Sequence, residues 1–271
     1  MKKLTEVRCT AIQVRIPMFA ASKNGSKNLS EVSTQWGCAT ITGILNKCHR
    51  DLLDVLFYSN EFSFVRVNGQ GVGCMIQIYK LARLLGADRP SLTDAKRVKR
   101  MIEELRVARL EIKTKSGDGY NIITTGIVAK HQYRIDADGK EGKLYGIIFT
   151  PEYIALCDNG IKLNWTPAEV QILVRMNSTA ATVARFMRSH RSTRIVRYGI
   201  ETVLEAIGIN RDDMSARGYR KRVRQIKNGL DDFRKLGLNI EGKNVIAEPV
   251  ARQSGTNYLT ERNQYHYERN Q

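Results

Sequence analysis

Two stretches of this chain repeat one another in outline, and that repeat constrains the fold more than any other feature. The first runs from Leu81 to Gly86 (LARLLG), through a short polar turn, into the basic segment Lys96 to Ile112 (KRVKRMIEELRVARLEI). The second runs from Val203 to Gly208 (VLEAIG), through another polar turn, into Lys221 to Ile240 (KRVRQIKNGLDDFRKLGLNI). The offset between the copies grows from 122 to 128 residues, so the turn and the long helix differ in length. In each copy a short helix closes on glycine, which takes up left-handed backbone at little cost. A long amphipathic helix and a strand follow.

After the first copy, Leu110 to Lys115 and Tyr120 to Ile127 alternate around Ser116-Gly117-Asp118-Gly119, a hairpin signal. After the second copy, Asn239 to Val250 folds around Glu241-Gly242-Lys243-Asn244. Helix, turn, recognition helix and β-hairpin is the order of a winged helix. The expected fold class is therefore α+β, with two tandem winged-helix domains and flexible N- and C-terminal segments. The expected boundaries are 1–35 for an N-terminal segment and linker, 36–162 for the first domain, 163–251 for the second and 252–271 for a flexible tail. A helix near Arg50–Phe57 and strands near Phe62–Val67 and Cys74–Ile78 open the first domain, and a strand at Lys143–Phe149 with a helix after Pro151 closes it. Thr166, Pro167 and Glu169 mark the helix that opens the second. Residues 4–19 alternate loosely and predict a strand.

The helix expected from Ser215 to Lys235 sets out the candidate chemistry. At 100° per residue, Tyr219, Val223, Ile226, Leu230 and Phe233 share one stripe. Arg217, Lys221, Arg224 and Asn228 lie opposite, flanked by Arg220, Gln225 and Lys227. One side suits a core, and the other is a cationic ridge. Such a helix fits the major groove, where Arg and Lys address guanine and Gln or Asn address adenine. Gly229 marks a bend or a close approach.

The first long helix, expected from Leu92 to Arg109, carries Leu92, Ala95, Val98, Ile102 and Leu105 on its apolar face. Thr93, Lys96 and Arg100 stand opposite, but Glu103 and Val107 follow on that same side. Only its N-terminal half is therefore expected to approach DNA. A third basic run, Arg185, Arg188, His190, Arg191, Arg194 and Arg197, is either a phosphate-contacting or a solvated face, and Lys113 and Lys115 near the first hairpin are candidate phosphate contacts.

Composition agrees with a polyanionic partner. There are 44 Lys and Arg against 27 Asp and Glu, a net charge of +17. No run reaches the roughly 18 apolar residues of a membrane-spanning helix, so no membrane association is expected. Cys9, Cys38, Cys48, Cys74 and Cys157 are widely spaced and read as reduced thiols of a cytoplasmic protein. Four histidines without metal-ligand spacing, no phosphate-binding loop and no clustered carboxylates predict no cofactor, no metal and no catalytic residue. Gly69-Gln70-Gly71-Val72-Gly73 reads as a hairpin turn.

The order of elements from about Thr40 to Ala251 resembles the plasmid replication initiators with tandem winged helices, the Rep and TrfA-like proteins. The resemblance rests on the helix at His49–Phe57, the LARLLG turn, KLYGIIFTPEYIALCDNG (143–160) and RGYRKRVRQIKNGL (217–230). It implies binding to repeated origin sites in duplex DNA and to the protein's own promoter, local opening of an AT-rich stretch, and recruitment of a host initiator, helicase and sliding clamp. It also implies a monomer on origin repeats and a homodimer in autoregulation. No clamp-binding motif stands out. A transcriptional repressor or plasmid-maintenance regulator needs the same surfaces, and a nickase or recombinase is the enzymatic alternative.

Overall fold

A computed structural model describes residues 3–4, 8–21, 32–34, 37–67, 71–116, 119–135, 137, 141–158, 162–190 and 194–249. Within them the chain is a mixed α/β protein with three small sheets. It opens with strand β1 (Lys3–Leu4), helix α1 (Ile12–Arg15), strands β2 (Val32–Thr34) and β3 (Gly37–Thr42), and helix α2 (Lys47–Tyr58). Strands β4 (Phe64–Val67) and β5 (Gly71–Gln77) lead to helices α3 (Ile78–Leu84) and α4 (Leu92–Val107). Four strands follow: β6 (Arg109–Ser116), β7 (Gly119–Thr125), β8 (Val128–Ile135) and β9 (Glu141–Phe149). Helices α5 (Pro151–Asp158), α6 (Pro167–Arg175) and α7 (Ser178–Ser189) come next. The chain then forms β10 (Val196–Gly199), α8 (Ile200–Ala206), α9 (Ala216–Lys227), α10 (Leu230–Lys235), β11 (Leu238–Glu241) and β12 (Asn244–Ala247).

The repeat of the sequence is a repeat of structure. α3 and α8 are each 7 residues long and each is followed by a glycine with positive φ, Gly86 at 96° and Gly208 at 77°. Any other residue would crowd its Cβ against the following carbonyl there. A serine then caps each long helix: Ser91 accepts from Asp94 N–H and Ser215 from Gly218 N–H. At Ser91 the Asp94 carboxylate reaches back to complete a capping box. Each long helix delivers the chain to an antiparallel hairpin, β6–β7 after α4 and β11–β12 after α10. In the second unit β12 also pairs with β10, a strand the sequence did not announce, giving the order β10-β12-β11. In the first, β3 and β2 extend the hairpin to β2-β3-β6-β7, while β1-β4-β5-β9-β8 form a separate sheet.

Three expectations need correction. Of the stretch 4–19 expected as a strand, the described residues 8–19 form none. They form α1 and an irregular segment whose Cys9, Ile16, Met18 and Phe19 are buried. The side chain of Gln13 turns that segment by accepting from Thr10 N–H at 2.8 Å, and Arg15 ties it to Ser189. The helix expected across 215–235 is two helices. Gly229 N–H bonds to Ile226 at 3.0 Å in a tightened turn, and a Cβ on Gly229 would sit 3.3 Å from that of Ala180 on α7. The break lets the chain pass close to α7, and Phe233 on α10 is then fully buried. Arg109, expected to end the first long helix, instead opens β6. The tail 252–271, and with it the expectation of flexibility there, lies outside the described residues.

Buried residues from Cys9 to Ala247 form one continuous cluster. Its joint between the two repeats is polar. Arg185 of α7 donates to Asp54 at 2.8 Å and to Asp51 at 2.7 Å, both on α2. Lys47 pairs with Asp51 at 2.5 Å and donates to the Val174 carbonyl at 2.9 Å, and Arg50 lies 3.0 Å from Asp54. All five side chains are almost wholly buried. Charges taken out of water are costly unless paired, so these pairs specify one arrangement of α2 against α7.

Candidate nucleic-acid interface

α9 combines the highest density of cations in the described chain with a firm seat. Tyr219 and Ile226 are buried and Val223 is half-buried, so this side faces the core. Arg217, Arg220, Lys221, Arg224, Lys227 and Asn228 are exposed on the rest of its surface. The ridge read from helical periodicity is thus presented to solvent. Two neighbours of that ridge are committed elsewhere. Gln225 is half-buried, and its Oε1 accepts from Thr179 Oγ1 at 2.7 Å while Asn177 donates to its backbone carbonyl at 2.9 Å. Gln225 therefore braces α9 against α7. Arg222 does the same work, donating to Thr179 Oγ1 at 3.1 Å and to the Ala21 carbonyl at 3.2 Å. Its position, one residue off the ridge, is the only sequence signal that separates it from its exposed neighbours.

α4 buries Ala95, Val98, Met101, Ile102 and Leu105 and exposes Thr93, Lys96, Arg97 and Arg100. Leu92, expected on the apolar face, is exposed because it sits in the first turn before the helix meets the core. The carboxylates farther along are held by local partners: Glu103 accepts from Arg106 at 2.7 Å, and Glu104 pairs with the buried His49 at 2.8 Å. Arg100 lies 3.7 Å from Glu104, an exposed pair worth little in water. The cationic character of α4 is therefore concentrated in its first three turns, at Lys96, Arg97 and Arg100.

The third basic run is not one surface. Arg185 is the buried cross-link to α2, so it is neither a phosphate contact nor solvated. Arg188 pairs with Glu169 at 2.9 Å, donates to the Leu236 carbonyl and packs over Trp165. His190 lies against Phe186, and burial drives its pKa down to about 4. A neutral imidazole brings no charge to a phosphate. Arg194 and Arg197 are exposed, the latter 2.9 Å from Glu241. Arg191 lies outside the described residues. Lys113 of β6 is half-buried and 3.1 Å from Glu111; Lys115 follows it on the same strand, its side chain outside the described part.

Among the described residues no group of three His, Cys, Asp or Glu side chains could hold a metal ion, and no helix is long and apolar enough to cross a membrane. Burial raises the pKa values of Cys9, Cys74 and Cys157, the last two to about 12, so these thiols stay protonated at neutral pH.

The mixed α/β arrangement, with its two units of short helix, turn and long helix, has counterparts among solved structures. The chain is similar to domains 2 and 3 of RctB, with a TM-score of 0.55 over 88% of this chain and 98% of that one, at 11% sequence identity. A second structure of the same two RctB domains gives a TM-score of 0.51 over 87% and 94%, again at 11% identity. At that identity the likeness is one of fold. No protein-family model matches the sequence, and no curated protein matches it.

Proposed function

We propose that this chain is a duplex DNA-binding replication initiator built as two tandem winged helices, with α9 as the principal base-reading helix and α4 as its weaker counterpart. The observation that carries the reading is the α9 ridge: Arg217, Arg220, Lys221, Arg224 and Asn228 are exposed on a helix whose opposite side is anchored in the core. An isolated basic helix is a common solvated feature. This one lies in a chain of net charge +17 that shares its fold with two domains of RctB, a replication initiator. In this reading the N-terminal half of α4, and Lys113 and Arg194, contact backbone phosphates, which position the protein without reading sequence.

Binding of repeated origin sites follows from having two reading helices on one chain. Bending of the duplex between them would favour opening of a nearby AT-rich tract, and no bond is made or broken by the protein. Recruitment of host replication proteins and repression of its own promoter as a homodimer belong to the same proposal.

Fluorescence anisotropy with duplex fragments from the DNA flanking the gene tests it. Lys221→Glu with Arg224→Glu should abolish sequence preference and lower the slope of log affinity against log salt by about two, from about 0.9 per phosphate contact. Lys96→Glu with Arg100→Glu should do less. Equal binding by the α9 variant and the wild type, or a larger loss from the α4 variant, overturns the assignment.

A further inference from the structure

Beside α4 lies a cleft that shares only Arg100 with the proposed duplex contacts. It has a volume of about 300 Å³ and is lined from α4 by Lys99, Arg100, Ile102 and Glu103. From β8 and β9 it is lined by His131, Tyr133 and Tyr145. That volume is at the small end of the range of about 300–1,000 Å³ for small-molecule sites, enough for one nucleotide unit. Tyr133 and Tyr145 face one another across neighbouring strands with ring centres 4.7 Å apart and planes 22° apart. His131, two residues before Tyr133 on the same face, holds its ring nearly parallel to that of Tyr133, at 10° with centres 6.5 Å apart. The result is a stack of aromatic rings in which Tyr145 is buried and Tyr133 is 41% exposed.

Beside that stack lies a cation. The Lys99 ammonium is 4.9 Å from the centre of the Tyr145 ring and 5.9 Å from that of Tyr133. Arg100, on the rim, is also on the exposed side of α4. The carboxylate of Glu103, also in the lining, is held by Arg106 at 2.7 Å and lies 3.6 Å from His131 Nδ1. An exposed tyrosine ring, backed by a second ring and with two cations beside it, is the combination that binds a nucleotide: the base stacks on the ring and the phosphate meets the ammonium and guanidinium. A paired base cannot enter, because its faces are already covered by its neighbours in the duplex.

We infer that the cleft between α4 and strands β8 and β9 seats one unpaired nucleotide, its base against Tyr133 and its phosphate beside Lys99 and Arg100. This rests on the DNA-binding reading above. The nucleotide is either part of a single strand next to the bound duplex or a free nucleotide, and the two sources share the same chemistry.

The full chain is titrated against a single-stranded oligonucleotide bearing one 2-aminopurine, and separately against the 2-aminopurine deoxyribonucleotide alone. Stacking should quench the fluorescence saturably. Tyr133→Ala should weaken that binding about tenfold, as expected for loss of one stacking partner, and Tyr133→Trp should retain it. Duplex affinity should be the same in all three proteins, which also reports that the variants are folded. Tenfold or tighter preference for the oligonucleotide assigns the site to a strand, and equal affinity assigns it to a free nucleotide. Quenching that is absent from both probes, or unaltered by Tyr133→Ala, overturns the inference. Duplex binding that persists in that case leaves the duplex-binding proposal standing; its absence from the wild type removes both.

Discussion

The polar seam between α2 and α7 predicts an ordering that intuition about lost contacts would reverse. Arg185 makes the most visible link, with two short bonds to Asp51 and Asp54. Yet the seam holds three cations, Lys47, Arg50 and Arg185, against two carboxylates. Removing Arg185 leaves Asp51 with Lys47 and Asp54 with Arg50, each carboxylate still paired within α2. Two charge-assisted hydrogen bonds are lost, while a methionine of similar length fills the space. For Arg185→Met the cost should be about 1–3 kcal/mol, the range for a hydrogen bond to a charged group, because the burial of a thioether offsets part of the loss.

Asp54→Asn removes the carboxylate that Arg50 and Arg185 share, and leaves Arg50 buried beside a neutral amide while Arg185 keeps only Asp51, itself shared with Lys47. Breaking a buried pair in this way costs about 3–5 kcal/mol. Each kcal/mol moves Tm by roughly 2–4 °C in a chain of this size, so Tm for Asp54→Asn should fall by at least about 6 °C. The double variant should be less destabilised than the sum of the singles, by about 0.5–3 kcal/mol of coupling. Circular dichroism through thermal and urea unfolding reads all three. Should Arg185→Met prove the more damaging, or the two changes simply add, the charge balance proposed for the seam is wrong.

Other outcomes follow from single positions. Gly208→Ala should cost about 1–2 kcal/mol because its backbone is left-handed at φ 77°; a neutral result in urea unfolding would contradict that geometry. Ser215→Ala removes the cap at Gly218 N–H and should lower stability by about 1 kcal/mol, with duplex affinity falling as the ridge frays. Gln225→Ala should reduce stability by about 1 kcal/mol through the lost bond to Thr179, and leave base preference at the target site unaltered. His190 is held neutral, since burial lowers its pKa from 6.5 to about 4. The unfolded chain therefore binds more protons between those values. Its contribution to stability is complete above pH 6.5 and is lost as pH falls towards 4. Unfolding midpoints across that range should be flatter for His190→Gln than for wild type.

Much of the local structure was legible because it depends on residues close in sequence. The Thr166 cap of α6, the closing glycines at 86 and 208, the pairing of β6 with β7 and the exposed ridge of α9 all follow from spacing within a few turns. The same reasoning misjudged groups whose partners are remote. Arg185 looked like one more surface cation, but its partners lie 131 and 134 residues earlier in the chain. Gln225 looked like a base reader until Thr179 was seen to hold it. Residues 4–19 had a loose alternation suited to a strand, and the described part, 8–19, is instead tied to α7 through Arg15 and Ser189.

From the sequence alone came the repeated order of elements, the amphipathic helices and the sign of the charge they expose, because periodicity and capping are set by near neighbours. Which cations stay exposed, where the long helix breaks and how aromatic rings stack beside α4 were decided by tertiary packing. The reason is physical: burial, charge pairing and ring stacking join side chains that the backbone brings together only after folding, and no local pattern encodes those partners.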